Sequence, residues 1–326
     1  MREAALAVTT PLVRSEISGL KHARFRARGV TACDFDEDGD LDIYVSNYRL
    51  QPNLLWLNRG SGEFQDVAAD RNAVATSPGF AGGHSIGAAW GDFDNDGRFD
   101  LFAGNFAHVD NRGDQPKSRF LRNLGSTSGH KFEDRGPCGI HYQESYASPS
   151  AGDFDNDGNL DLFFTTVYGT ASFGRKNNPV LFRNQTKFAF ADVTSLAGLE
   201  GLEPTYQASW ADFDRDGDLD LVTAGRLFRN QASGHHWIEL RVTGDGTKVN
   251  RSAIGTQVRI NLGDRILTRQ VEAGTGEGNQ SDLILHFGLG DHAAPVDVEL
   301  TWPGGTRQIA PDVTVNCMTD IRFTPR

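Results

Sequence analysis

Short apolar runs bounded by Gly, Asn or Asp recur along the first two-thirds of the chain. The clearest are Ile43-Tyr44-Val45, Leu101-Phe102-Ala103, Leu162-Phe163-Phe164 and Leu221-Val222-Thr223. Each is followed by a second run that ends in asparagine: LLWLN at Asn58, RFLRN at Asn123, VLFRN at Asn184 and RLFRN at Asn230. A Phe-x-Asp element then appears at Phe64, Phe132 and Phe190. Runs of this length and composition read as strands. Each apolar run is preceded by a polar nonamer: DFDEDGDLD from Asp34, DFDNDGRFD from Asp92, DFDNDGNLD from Asp153 and DFDRDGDLD from Asp212. The nonamers start 58 to 61 residues apart. A fixed period of this size marks a repeat architecture, and about four short strands per period is the content of a propeller blade.

The fourth unit is shorter. Ten residues separate Asp220 from Asn230, against 23 between Asp100 and Asn123, and no Phe-x-Asp strand follows. Leu6-Ala7-Val8-Thr9-Thr10 resembles the tail of FADVTS at Phe190. Residues 6–10 are therefore expected to complete the last blade and close a ring, which would remove two exposed sheet edges. An open array leaning on the C-terminal part is the alternative.

The nonamer D-x-D-x-D-G-x-x-D puts carboxylates at positions 1, 3, 5 and 9. The expected ligands are Asp34, Asp36, Asp38 and Asp42; Asp92, Asp94, Asp96 and Asp100; Asp153, Asp155, Asp157 and Asp161; and Asp212, Asp214, Asp216 and Asp220. Position 7 (Asp40, Arg98, Asn159 and Asp218) is expected to add its backbone carbonyl. Ca²⁺ takes about six to eight oxygens in a tolerant geometry, so an all-protein carboxylate cage suits it better than Mg²⁺ or Mn²⁺. An EF-hand needs a glutamate at its twelfth position; here that position holds Val45, Ala103, Phe164 or Thr223. The glycine permits the positive φ that folds the loop back. Phe35, Phe93, Phe154 and Phe213 at position 2 are expected to point away from the metal and pack as core.

These motifs resemble the FG-GAP/VCBS repeats of integrin α-chain propellers, over about residues 30–232. Beyond them, GHHWIELRV, RSAIGTQVRI, EAGTGEGNQSDLILHFGLGD and VELTWPGGTRQ resemble the ASPIC/UnbV domain that ends cartilage-acidic-protein-like and UnbV-like proteins. The expected fold is all-β. A propeller of about four blades with calcium-binding loops fills residues 1–232, and a small β-sandwich-like domain fills 233–326.

Composition changes this picture in two places. The net charge of −11 disfavours nucleic acid and anionic membranes as partners, yet sixteen of the 43 acids are the aspartates at positions 1, 3, 5 and 9 of the four nonamers. Four bound dications would neutralise most of it. The three cysteines, Cys33, Cys138 and Cys317, provide no disulfide framework. No apolar run is long enough to span a membrane. The opening MREAALAVTTPLVRS is too weak for a secretory core, so the chain is expected to be cytoplasmic as given, or secreted with its signal trimmed.

Catalytic signals are faint. His84, His108, His141, Tyr146 and Tyr206 are the acid–base candidates by residue type, and Arg28, His84, Tyr146 and Tyr206 stand at comparable places ahead of the nonamers. Neighbouring His235 and His236 point opposite ways on a strand and cannot readily share a metal. No nucleophile, dinucleotide or phosphate-loop motif is present, so no organic cofactor is expected. The expected role is a calcium-rigidified module that binds a small molecule, glycan or protein. The alternative is a natural-product tailoring enzyme, of lyase, cyclase or proton-shuttling type, with its site at the channel mouth.

Overall fold

The computed structural model describes residues 25–60, 62–110, 113–231 and 234–325. Regular structure in them is β, apart from single 3-10 turns at Ser126–Ser128 and Ser172–Gly174. Each period folds into a small antiparallel sheet. The first holds β1 (Ala27–Cys33), β2 (Asp42–Asn47), β3 (Leu54–Asn58) and β4 (Phe64–Asp66). The second holds β5 (Ser85–Gly91), β6 (Asp100–Asn105), β9 (Arg119–Asn123) and β10 (Phe132–Gly136), with a minor hairpin β7 (Val109–Asp110) and β8 (Gly113–Asp114) between β6 and β9. The third holds β11 (Tyr146–Gly152), β12 (Asp161–Thr166), β13 (Val180–Asn184) and β14 (Phe190–Asp192). The fourth has three strands, β15 (Ala208–Ala211), β16 (Asp220–Thr223) and β17 (Arg226–Phe228). Among the described residues the shortfall after Asn230 thus leaves this sheet without an outer strand. The proposed closing segment, residues 6–10, lies outside the described residues.

Each nonamer is the turn between the first and second strands of its sheet. The ninth-position aspartate pairs across the ladder with the residue before the loop: Cys33 with Asp42, Gly91 with Asp100, Gly152 with Asp161 and Ala211 with Asp220. The first strands lie side by side in the order β1, β5, β11, β15. Aromatic side chains fill the seams between sheets. Phe35 stacks on Trp90 with ring centroids 6.1 Å apart, Phe102 meets Phe164 edge-on at 5.2 Å, and Phe163 meets Trp210 at 6.5 Å. Burial of such rings dominates the energetics of these seams.

The asparagine at the end of the third strand proves to be a staple in the second, third and fourth units. The Nδ2 of Asn123 donates to the Phe35 carbonyl at 2.9 Å, that of Asn184 to Phe93 at 2.9 Å, and that of Asn230 to Phe154 at 2.6 Å. The second, third and fourth sheets are each thereby hydrogen-bonded to the loop of the sheet before. Position 2 itself departs from expectation once. Phe35 and Phe93 are core, but Phe213 is 71% exposed. Among the described residues no following sheet presents a tryptophan or an asparagine to it, so nothing covers it.

Strands β18 (His236–Thr243), β19 (Gln257–Asn261), β20 (Ile266–Gln270), β21 (Leu285–Gly290), β22 (Val296–Thr301), β23 (Arg307–Val313) and β24 (Cys317–Arg322) form two further sheets. One has the order β21-β18-β24, with β18 and β24 parallel; the other has the order β20-β19-β22-β23. They share one hydrophobic cluster that includes Ile238, Leu240, Val258, Leu267, Phe287 and Trp302.

A segment between β20 and β21 leaves this cluster and runs among the first strands of all four preceding sheets. Thr31 donates its hydroxyl to the Gly274 carbonyl at 3.2 Å, and the Gly276 amide donates to Ala88 at 2.8 Å. Asn279 Nδ2 donates to the Ser148 hydroxyl at 2.9 Å, and the Asp282 amide donates to Trp210 at 3.0 Å. Glycine is required where the backbones touch: a Cβ on Gly87 would sit 2.7 Å from the Gly276 carbonyl carbon.

Candidate metal centre

The four loops fold alike because their aspartates first satisfy their own backbone. The position-1 carboxylate accepts the position-6 glycine amide in every loop: Gly39 on Asp34 at 3.0 Å, Gly97 on Asp92 at 3.0 Å, Gly158 on Asp153 at 2.9 Å and Gly217 on Asp212 at 2.8 Å. Those glycines have φ between 91° and 96°, a region closed to most side chains. The position-5 carboxylate accepts the position-7 amide, as at Asp157 with Asn159 at 2.8 Å. The position-9 aspartate uses both oxygens. One accepts the position-2 amide, and the other accepts the amide of the stapling asparagine, as at Asp100 with Phe93 (3.1 Å) and Asn123 (2.8 Å). This last aspartate therefore holds the loop to the sheet whatever else it binds.

The carboxylates nonetheless converge. Carboxylate oxygens of Asp34, Asp36 and Asp42 all lie within 4.8 Å of one another, as do those of Asp92, Asp94 and Asp96, of Asp153, Asp155 and Asp161, and of Asp212, Asp214 and Asp220. The fourth of each expected carboxylate set (Asp38, Asp100, Asp157, Asp216) lies in the same loop but outside these triads. Buried oxygens of Asp36, Asp94, Asp153 and Asp155 have no hydrogen-bond partner in the protein. Burial, reinforced by neighbouring carboxylates, pushes Asp34 and Asp153 up to about 7 and Asp92 to about 8. An unpartnered buried oxygen is costly, and several in one cage are relieved together by one hard cation. The donor set is oxygen only, so the residues fit a dication such as Ca²⁺.

Three arginines that sequence reasoning passed over frame these cages. Arg122 reaches Asp94 at 2.5 Å and Asp96 at 2.7 Å, and Arg183 reaches Asp155 at 2.5 Å and Asp157 at 3.0 Å. Arg229 contacts Asp214 and lies 3.3 Å from Asp216. Each takes the outer oxygen and leaves the inner oxygens of Asp94 and Asp155 unpartnered. The repeated RN in RFLRN, VLFRN and RLFRN was the available signal. The first loop has Leu57 at that place. Arg98, expected to offer only its carbonyl, also pairs its guanidinium with Asp96.

Opposite signs of pH dependence follow for the two metal states. Carboxyls raised to about 7 or 8 stay protonated in the folded chain while the unfolded chain ionises near 4. Without metal, the stability they contribute is complete below the unfolded value and is lost as pH rises through 7 to 8. A cation competes with those same protons, so its affinity rises over that window. In chelator the melting temperature is expected to fall from about pH 5 to about pH 8, and in excess calcium to rise. Parallel curves in the two buffers would refute the assignment.

The acid–base candidates lie elsewhere, and the structure brings some of them together. His84 is buried, with its ring 4.6 Å from Tyr48 and 5.2 Å from His108. His108 Nδ1 lies 3.1 Å from Oε1 of the buried Glu144. His141 and Tyr146 are neighbours at 6.3 Å and line a cavity of about 250 Å³; Tyr146 is buried flat against Phe164 at 4.1 Å. Tyr206, half exposed, stands with Tyr168, Glu277 and Arg28. Arg28 pairs with Glu277 at 3.4 Å and covers the Tyr48 ring at 5.3 Å. This group lies at the starts of the first strands, at the far end from the aspartate loops. Glu277 and Glu144 carried no sequence signal, because their partners are 249 and 36 residues away. His235 and His236 diverge as expected, the first toward the Asp155 carbonyl and the second toward Asn316.

Comparison with known proteins agrees with the motifs. Residues 25–103 match the family described as FG-GAP-like repeat, and residues 246–324 match ASPIC and UnbV. Human cartilage acidic protein 1 is 30% identical over 296 residues, covering 85% of this chain and 41% of that protein. The Xenopus tropicalis protein of the same name is 27% identical over 314 residues, covering 91% of this chain and 45% of the relative. The chain thus spans under half the length of these curated relatives, to which it is distantly homologous. Among solved structures, the exotype rhamnogalacturonan lyase YesX aligns at 14% identity over 89% of this chain and 56% of its own, with a TM-score of 0.37. Among the described residues no helix is long and apolar enough to cross a membrane.

Proposed function

We propose that this chain is a calcium-loaded, four-bladed β-propeller, residues 1–232, followed by a β-sandwich-like domain, residues 233–326, and that it acts as a ligand- or partner-binding module. One ion per blade would be held by the position 1, 3, 5 and 9 aspartates and the position-7 carbonyl. The observation that carries this reading is the set of four aspartate triads whose carboxylate oxygens converge, three of them with buried oxygens that no protein group satisfies. When bound, the cation supplies a fixed positive charge that replaces mutual repulsion with coordination. The loops then become rigid supports, and the binding surface falls at the far rim, where Arg28, Tyr168, Tyr206 and Glu277 combine opposite charges with half-exposed aromatic faces. Such a mixture suits a polar ligand with apolar faces, a small molecule or glycan before a flat protein surface.

Isothermal titration of chelator-treated protein with CaCl₂ tests the reading. About four ions per chain are expected, by the count of triads, and Asp153→Asn is expected to remove or weaken one of them. Fewer than one ion per chain would end it. A second reading, the tailoring enzyme, is favoured by one observation only: the His108–Glu144 pair at 3.1 Å beside His84, a carboxylate orienting an imidazole as in general-base catalysis.

A further inference from the structure

The C-terminal sheets reach all four aspartate loops through loop backbone, and at the third loop the Gly288 amide also donates to the Asp153 carboxylate at 3.1 Å. The Gly304 amide donates to the Gly39 carbonyl at 2.9 Å. Arg259 Nε donates to the Gly97 carbonyl at 3.0 Å, Arg265 Nη1 to the Asp157 carbonyl at 2.9 Å, and His286 Nε2 lies 3.0 Å from the Gly217 carbonyl. The acceptor is the position-6 carbonyl in three loops and the position-5 carbonyl in the third. These are the residues whose backbone conformation the cage dictates. At the fourth loop the fit is closest, since a Cβ on Gly217 would fall 1.8 Å from the Trp237 ring.

We propose that cation binding in the loops and docking of the C-terminal sheets are one linked equilibrium, and that through it the cations control the far rim. The inference rests on the calcium reading above and concerns its regulation. The loop carbonyls point at their C-terminal donors only while each loop keeps its positive-φ crest, and the cation holds that crest against carboxylate repulsion. The same C-terminal sheets send the segment 274–282 among the first strands, and this segment carries Glu277 to Arg28 at the rim. Losing the cations loosens the grips, and loosening the grips withdraws the segment that completes the rim. The competing account is that backbone hydrogen bonds to the aspartates already fix the loops, so that docking is indifferent to metal.

Linkage makes the two accounts separable, because a docking contact that favours the cation-bound loop must raise cation affinity by the same factor. Trp237→Ala and Arg265→Ala alter the C-terminal side alone and leave every aspartate in place. By calcium titration each is expected to weaken one of the sites at least about fivefold, the lower end of ordinary coupling. In wild-type protein, amide exchange of the 274–282 peptide, whose Gly276 amide is bonded to Ala88, is expected to rise at least about tenfold when chelator replaces calcium, as local opening becomes easier. This second measurement stands even if a variant fails to fold. Calcium bound by the wild type with unchanged affinity in both variants, or with equal exchange in chelator and calcium, overturns the coupling and leaves the binding reading intact. Absence of calcium binding by the wild type overturns the binding reading, and the coupling with it.

Discussion

In excess chelator the protein is expected to melt at least about 20 °C below its transition in excess calcium. The size follows from mass action. A site whose cation is present at about a hundred times its dissociation constant stabilises the folded state by about 2.7 kcal/mol. Several such sites together contribute on the order of 10 kcal/mol, and a folding unit the size of the repeat region shifts by roughly 2–4 °C per kcal/mol. The cages are placed to deliver that amount. Their oxygens are within 4.8 Å of one another, and Asp36, Asp94, Asp153 and Asp155 each bury one oxygen that nothing in the protein satisfies. The arginines soften the effect without removing it, because Arg122 and Arg183 occupy the outer oxygens of Asp94, Asp96, Asp155 and Asp157. The first loop lacks such an arginine and should be the first to loosen. Scanning calorimetry in the two buffers at neutral pH is the measurement, and superimposable traces would show that the loops fold without metal.

Asn123→Ala is expected to cost about 3–5 kcal/mol, because leaving a buried acceptor unsatisfied costs about 1–3 kcal/mol and this side chain serves several groups at once. Its Nδ2 donates to Phe35 at 2.9 Å and to Phe99 at 3.2 Å, and its Oδ1 accepts the Gly125 amide at 2.9 Å. Alanine replaces none of these, and the Phe35 carbonyl lies in an aromatic seam that water does not reach. Asn58→Ala is the internal control. Asn58 donates to Leu41 at 3.2 Å and accepts from Gly60 at 3.0 Å, both within its own sheet. Its loss should cost about half as much, since only these two local bonds go. Denaturant midpoints at equal slope give the comparison. Equal losses would mean that the bond between sheets contributes nothing beyond local loop closure.

Much of this was legible in the sequence because repetition separates signal from accident. The strands around Ile43, Leu101, Leu162 and Leu221, the loop aspartates and the shorter fourth unit all follow from spacing and alternation. What escaped depends on neighbours distant in the chain. Phe213 occupies the same motif position as Phe35 but lies exposed, since burial there is supplied by the sheet that follows. The asparagines were visible as the ends of strands, yet their role needs the carbonyl of a residue some 76 to 91 positions earlier. Arg122, Arg183 and Arg229 were visible too, but their facing depends on strand register. His108 was a candidate by residue type alone, and its partner Glu144 comes from a different unit.

The grips on the loops differ at the crest, where a glycine amide, two arginines of different approach and an imidazole beside a tryptophan meet them, although the Ile266 and Gly290 amides hold the same position-4 carbonyl in the second and third loops. The staples, by contrast, are interchangeable and would accept another copy at any seam. A duplicated unit could be joined laterally, but it would meet no matching grip, and every loop beyond it would face the wrong one. The C-terminal sheets therefore meet each loop at its own address, whereas the contacts between units repeat from one to the next.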